Sequence, residues 1–110
     1  MLTILNTSIL TNYGSYHYSP LSLTMAQLHS SDAWEREGGI LSAVGHQSTA
    51  DILTELLGVP VPVNRIEYSQ RVGDAALIFK LKGRPPEGKI LSRDEIEAIG
   101  YEFGLLVREA

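Results

Sequence analysis

The chain has no cysteine, so neither a disulfide framework nor a thiolate zinc site is open to it. Histidine is nearly as scarce: His17, His29 and His46 stand at no ligand spacing, so no metal and no cofactor are expected. Lys and Arg number 9 against 13 Asp and Glu, and the net charge of −4 argues against a protein that coats duplex nucleic acid through a broad basic face. A phosphate can still be held locally, by a few placed arginines, helix starts and backbone N–H groups. No apolar run is long enough to span a bilayer, and Met1 to Leu5 lacks the basic flank and length of a signal peptide. A cytoplasmic protein with no membrane partner is therefore expected. Repeats and low-complexity tracts are absent as well. With 110 residues, 44% hydrophobic and 20% charged, the composition suits one folded domain over residues 1–110.

What is present is organised around Ile40 to Gly58. Ile40 to Val44 is apolar and partly β-branched, Gly45 permits a sharp turn, and Ile52, Leu53, Leu56 and Leu57 fall at helical spacing. Ser48 with Asp51 has the pattern of a capping box; Gly58 suits a left-handed C′ position, and Pro60 cannot continue the helix. His46 is thereby held in a turn at the positive end of a helix, where an anion such as phosphate is favoured. It serves either as a turn residue bonded to nearby backbone or as a titratable group beside a phosphate-ready helix start.

Leu2 to Leu5 reads as a central strand with a polar exit in Asn6, Thr7, Ser8, Thr11 and Asn12, side chains that close local turns or meet a ligand. Tyr13, Tyr16 and Tyr18 alternate around Gly14 as in an extended edge or flap; they pack under a loop or stack on a base. Pro20 and Ser22 open a helix to about Ser30 with Leu21, Met25 and Leu28 on one face. Asp32 to Gly39 reads as a polar connection anchored by Trp34. His17 and His29 are surface or turn residues on this reading.

Val63 to Val72 and Ala75 to Leu81 flank Gly73-Asp74, a turn signal that predicts a hairpin. In the second arm Leu77, Phe79 and Leu81 share one face and Ala76 and Ile78 the other, the pattern of a strand buried on both sides. In the first arm Arg65, Glu67, Ser69 and Arg71 line a polar side, either solvated or reaching a phosphate. Gly83 to Gly88 is stiffened by two prolines, which present Arg84 and Glu87 at a defined spacing, as site residues or as solvated charges. Ser92 with Glu95 forms a second capping box opening a helix to Gly100, and Tyr101 to Val107 is a last strand. The order predicts a small α/β domain, a mixed sheet of about five strands flanked by helices. His46 then lies at a sheet edge where ligands bind.

Three stretches together carry a resemblance: Ser-Ala-Val-Gly-His-Gln-Ser-Thr at 42–49, Val-Asn-Arg-Ile-Glu at 63–67 and Arg-Pro-Pro-Glu-Gly-Lys-Ile-Leu-Ser at 84–92. The chain resembles, over nearly its whole length, the viral anti-CRISPR ring nucleases. These are small dimeric α/β proteins of viruses and mobile elements that degrade cyclic tetra-adenylate, the second messenger of type III CRISPR defence. The resemblance implies that His46 is the catalytic general acid, that Glu87 and Arg84 complete the site, and that Arg65 helps bind the ring's phosphates. It further implies ligand contacts from the loop after the first strand, with Asn12 the matching position and Thr7 and Thr11 beside it, and from the Gly45, Gln47, Ser48 and Thr49 motif. The tyrosine-rich Asn6 to Tyr18 stretch is where this chain departs from the pattern.

The implied partners are the ring as substrate and a second copy of the chain. The implied reaction is a metal-independent cleavage to linear di-adenylate bearing a 2′,3′-cyclic phosphate. Two other readings stand beside it: a protein that sequesters or senses the cyclic nucleotide without cutting it, and a viral protein-interaction module.

Overall fold

Strand β4, Ala75–Leu81, is apolar on both faces because a layer covers each of them. The computed structural model of the protein describes residues 2–6, 12–83 and 92–110. The elements run β1 (Thr3–Leu5), β2 (Tyr16–Leu21), α1 (Leu23–Arg36), β3 (Leu41–Ser42), α2 (Gln47–Leu57), β4, α3 (Arg93–Ile99) and β5 (Tyr101–Arg108). They form a single mixed sheet in the order β2-β5-β4-β1-β3. The strands β3, β1 and β4 are mutually parallel, while β5 is antiparallel to both β4 and β2. This is the mixed five-stranded α/β domain that the sequence predicts.

The period of two sorts the β4 side chains between two cores. Leu77 and Phe79 join Ile4, Phe103, the α2 residues Ile52, Leu53, Leu56 and Leu57, and Ile96 of α3 in the larger cluster, so the helices cover this face. Phe79, Tyr101 and Phe103 pack there in tilted and edge-on arrangements with ring centroids 5.4 to 5.8 Å apart. Ala76 and Ile78 point to the opposite face, where Leu5 and Leu106 complete a thinner cluster against Tyr16, Tyr18, Ala43 and Tyr68. No residue of a described helix takes part in that second cluster, and we call its side of the sheet the outer face.

The predicted hairpin does not form. Gly73, with φ 88°, does turn the chain before β4, but residues 63–72 are not a strand. Both edges of β4 are already taken, by β1 and by β5, so the turn delivers β4 from an irregular segment that crosses the outer face. The fifth strand is instead β2, the extended tyrosine stretch at the sheet edge.

Pro20 lies within β2 at that edge, where its missing N–H costs no ladder bond, and Ser22 alone caps α1 through its hydroxyl and the Met25 N–H. The helix is longer than predicted and packs through a different face: Ala26, Ser30 and Ala33 are buried, while Met25 and Leu28 are 43% and 58% exposed. Small residues at that spacing let the helix approach its neighbours closely, and the larger side chains are left outside. Asp32 to Arg36 is accordingly helical, with Trp34 largely on the surface. His17 is exposed on β2 and His29 half-buried on α1.

The two helix ends that flank the central turn behave differently. Gly58 takes the left-handed C-cap conformation at φ 74°, as expected. The capping box predicted at Ser48 is not made: α2 begins at Gln47 with His46 as N-cap, and Asp51 accepts from the Gln47 side-chain amide at 2.7 Å instead. The short β3 is the reason, because the turn that follows it already delivers helical backbone at Gln47. The box at Ser92 and Glu95 is fully formed.

Candidate functional site

Because β4, β1 and β3 are parallel neighbours, their C-terminal ends open on one edge of the sheet. Asn6 follows β1 there, Ala43 to His46 follow β3, and Lys82 and Gly83 follow β4. At a strand spacing of roughly 4.8 Å the outer two of these strands lie about 10 Å apart. Such an edge, beyond the carboxyl ends of parallel strands, is where α/β sheets place ligands.

At that edge Gly45 and His46 are fixed from behind. Asn64 donates its N–H to the Val44 carbonyl and its side-chain amide to the Ser42 carbonyl, each at 2.8 Å. The Ser42 hydroxyl donates to the Pro62 carbonyl at 2.5 Å and accepts from the Val44 N–H at 3.3 Å. Asn64 is a positioning residue that motif reading passed over. Its signal was a single amide in the Val-Asn-Arg stretch that also carries Arg65.

Next in the chain, Arg65 donates Nε–H to the Gly45 carbonyl at 2.7 Å. Gly45 is needed for the space this leaves rather than for a positive φ, which it does not have. A Cβ there would meet Arg65 Cγ at 3.3 Å.

His46 adopts extended backbone, φ −124° and ψ 130°, and its side chain makes no capping bond. Its carbonyl accepts the first helical bond, from the Ala50 N–H at 3.0 Å. The imidazole is exposed at the head of an 11-residue helix whose first turn carries no acidic residue. An exposed imidazole, an anchored guanidinium and an uncompensated helix start therefore meet at one turn, all favourable to an anion. Gln47, Ser48 and Thr49 form the first turn behind it, Gln47 exposed and tied to Asp51, the other two half-buried.

Asn12 lies elsewhere. It lines a cleft of about 650 Å³ on the outer face together with Thr3, Leu41, Arg71, Arg108 and the segment from Ile66 to Gln70. Its carbonyl accepts from the Tyr16 hydroxyl at 2.9 Å. Tyr68 in this cleft has its phenol raised above the ordinary 10.0 by burial, with the Thr3 side chain pulling the other way and Asp74 adding to the rise. Thr7, Thr11, Arg84 and Glu87 lie outside the described residues. Asn6 and Gly83 lie on the same edge as His46. Among the described residues no helix is long and apolar enough to cross a membrane.

Comparison with known proteins agrees with this architecture. The solved structure of B116 of Sulfolobus turreted icosahedral virus superposes with a TM-score of 0.80 at 25% identity, over 97% of this chain and 98% of that one. YddF of Bacillus subtilis is 30% identical over 109 residues, 97% of this chain and 96% of its own. ORF117 of Acidianus two-tailed virus is 45% identical over 69 residues, 62% of this chain. That match spans 59% of the length of ORF117. Residues 2–103 match the family model described as STIV B116-like, and the chain belongs to the STIV B116-like family, which has members in archaeal viruses.

Proposed function

We propose that the protein is a metal-independent ring nuclease that cleaves cyclic tetra-adenylate. The observation that carries this reading is the turn itself: the exposed His46 imidazole stands at an open helix start, and the Arg65 guanidinium is bonded to the carbonyl of Gly45 just before it. RNA carries its own nucleophile in the 2′-hydroxyl. The protein's task is to hold the linkage in line, neutralise charge on the phosphate and protonate the departing 5′-oxygen.

In the proposed reaction the 2′-oxygen attacks the adjacent phosphorus and the P–O5′ bond breaks. Imidazolium at His46 gives its proton to the leaving O5′, and Glu87 orients the histidine or takes the proton from the 2′-hydroxyl. Arg65 and the helix start bind phosphate oxygens, and Arg84 stabilises the charge that develops there. Two cuts on opposite linkages turn one ring into two linear di-adenylates, each ending in a 2′,3′-cyclic phosphate. A two-fold homodimer presents two equivalent His46 turns to such a ring. The biological role that follows is suppression of type III CRISPR signalling in the cytoplasm of a host cell.

The test is an incubation of the purified protein with cyclic tetra-adenylate in EDTA, beside a six-membered ring, with products resolved by chromatography and mass. Di-adenylate cyclic phosphate from the four-membered ring supports the reading. Tight binding without products favours sequestration, and neither binding nor cleavage favours an interaction module.

A further inference from the structure

Gln47 is the first helical residue after His46 and stands exposed beside it. Its side chain is not free to turn. The amide nitrogen donates to Asp51 Oδ1 at 2.7 Å, one turn further along α2. A carboxylate only accepts, so Asp51 decides which end of the Gln47 amide is nitrogen and which is oxygen. Repulsion between the carboxylate and Gln47 Oε1 favours the amide hydrogen that points away from that oxygen. The second hydrogen and Oε1 are left side by side, a donor next to an acceptor. Neither makes a further hydrogen bond among the described residues.

A donor and an acceptor on one planar edge match adenine. Its exocyclic amine donates to the amide oxygen, and a ring nitrogen accepts from the amide N–H. A base with a keto group in place of the amine sets its lone pairs against Oε1 instead. Asp51 thus holds the amide in the one orientation that suits an amine-bearing base. The same bond lends some stability to the helix as an i, i+4 pair, a service that asparagine at position 51 would also perform.

We infer that Gln47 reads the base of a nucleotide next to the linkage held at His46 and Arg65, and that Asp51 is the positioning residue that sets it for adenine over a keto-bearing base. The sequence places Gln47 among the ligand contacts; its bond to Asp51 says which ligand group it takes. The placing of a linkage at His46 rests on the ring-nuclease reading.

The experiment sets cyclic tetra-adenylate against cyclic tetra-inosinate, which has the same phosphates and a keto oxygen in place of each amine. Competition between the two rings for the whole chain in EDTA gives their ratio of kcat/KM, and the affinity of each is measured on His46→Ala. The adenylate ring should be favoured about ten- to a hundredfold. Asp51→Asn lets the Gln47 amide flip, because asparagine donates as well as accepts. That variant should bring the preference close to unity with little change in melting temperature, and Gln47→Ala should also abolish the preference. A preference that survives in Asp51→Asn marks the pair as purely structural and overturns the inference. Equal handling of the two rings by the wild type overturns it too, while cleavage of the adenylate ring keeps the nuclease reading. A wild type that binds the adenylate ring preferentially but leaves it uncut, and loses that preference in Asp51→Asn, refutes the nuclease reading and keeps the inference. Binding of neither ring refutes both.

Discussion

Replacing Gly45 with alanine should separate the site from the fold. The φ of Gly45 lies outside the left-handed region, so alanine is compatible with the backbone there and removes some freedom from the unfolded chain, worth about 0.4–1 kcal/mol in favour of folding. Against this, the new methyl stands 3.3 Å from Arg65 Cγ, 3.9 Å from Nε and 4.0 Å from Cδ. Only the first contact is tight, and Arg65 is exposed and flexible, so the side chain swings aside at little cost. Net stability should change by less than about 0.5 kcal/mol.

The movement strains the 2.7 Å bond from Arg65 to the Gly45 carbonyl and shifts the guanidinium from its place at the turn. A displaced charge contact at the reacting phosphate should lower kcat/KM about tenfold, equivalent to roughly 1.4 kcal/mol. Gly58→Ala is the control. It has open space but φ 74°, so it should destabilise by about 1 kcal/mol and leave turnover untouched. Thermal melts and steady-state cleavage of cyclic tetra-adenylate, run on both variants, check the pair. A Gly45→Ala protein that melts far below wild type, or that cleaves at full rate, refutes the reasoning about Arg65.

Leu53→Ala, at a fully buried position on α2, should cost about 2–5 kcal/mol in urea unfolding. Gly104→Ala drives a methyl into the Tyr18 ring and should destabilise by about 1–3 kcal/mol, with recovery when Tyr18 is also shortened to serine. The phenols of Tyr18 and Tyr68 are both raised, chiefly by burial. The folded state therefore resists their ionisation, so stability is retained below the ordinary 10.0 and falls as pH rises beyond it. Melting temperature followed together with tyrosinate absorbance across that range checks the sign.

The sequence was most informative where one local signal decided the outcome. The Ser92 and Glu95 box, the Gly58 cap and the two-faced β4 pattern each depend on residues within a turn or on a period of two, and each is in place. The hairpin failed because a turn signal at Gly73 says only that the chain bends there. Which strand pairs with β4 is a long-range matter, and β1 and β5 take both of its edges. The buried face of α1 was hidden for a related reason: close packing selects Ala26, Ser30 and Ala33, which carry little hydrophobic signal beside Met25 and Leu28. At the candidate site, neighbours in sequence gave His46, Gly45 and the first turn of α2. The joining of Arg65 to Gly45, and the seating of Asn12 in a separate cleft, follow from an irregular segment that no periodicity describes.

The most direct test of the central claim is single-turnover cleavage of cyclic tetra-adenylate in EDTA by the wild-type protein and by His46→Ala, with ring affinity measured on both. A general acid contributes about 100-fold or more, so the variant should lose at least that much of the rate while its affinity, spread over Arg65 and the helix start, changes little. Full-rate cleavage by His46→Ala, or no cleavage by the wild type, would contradict the account.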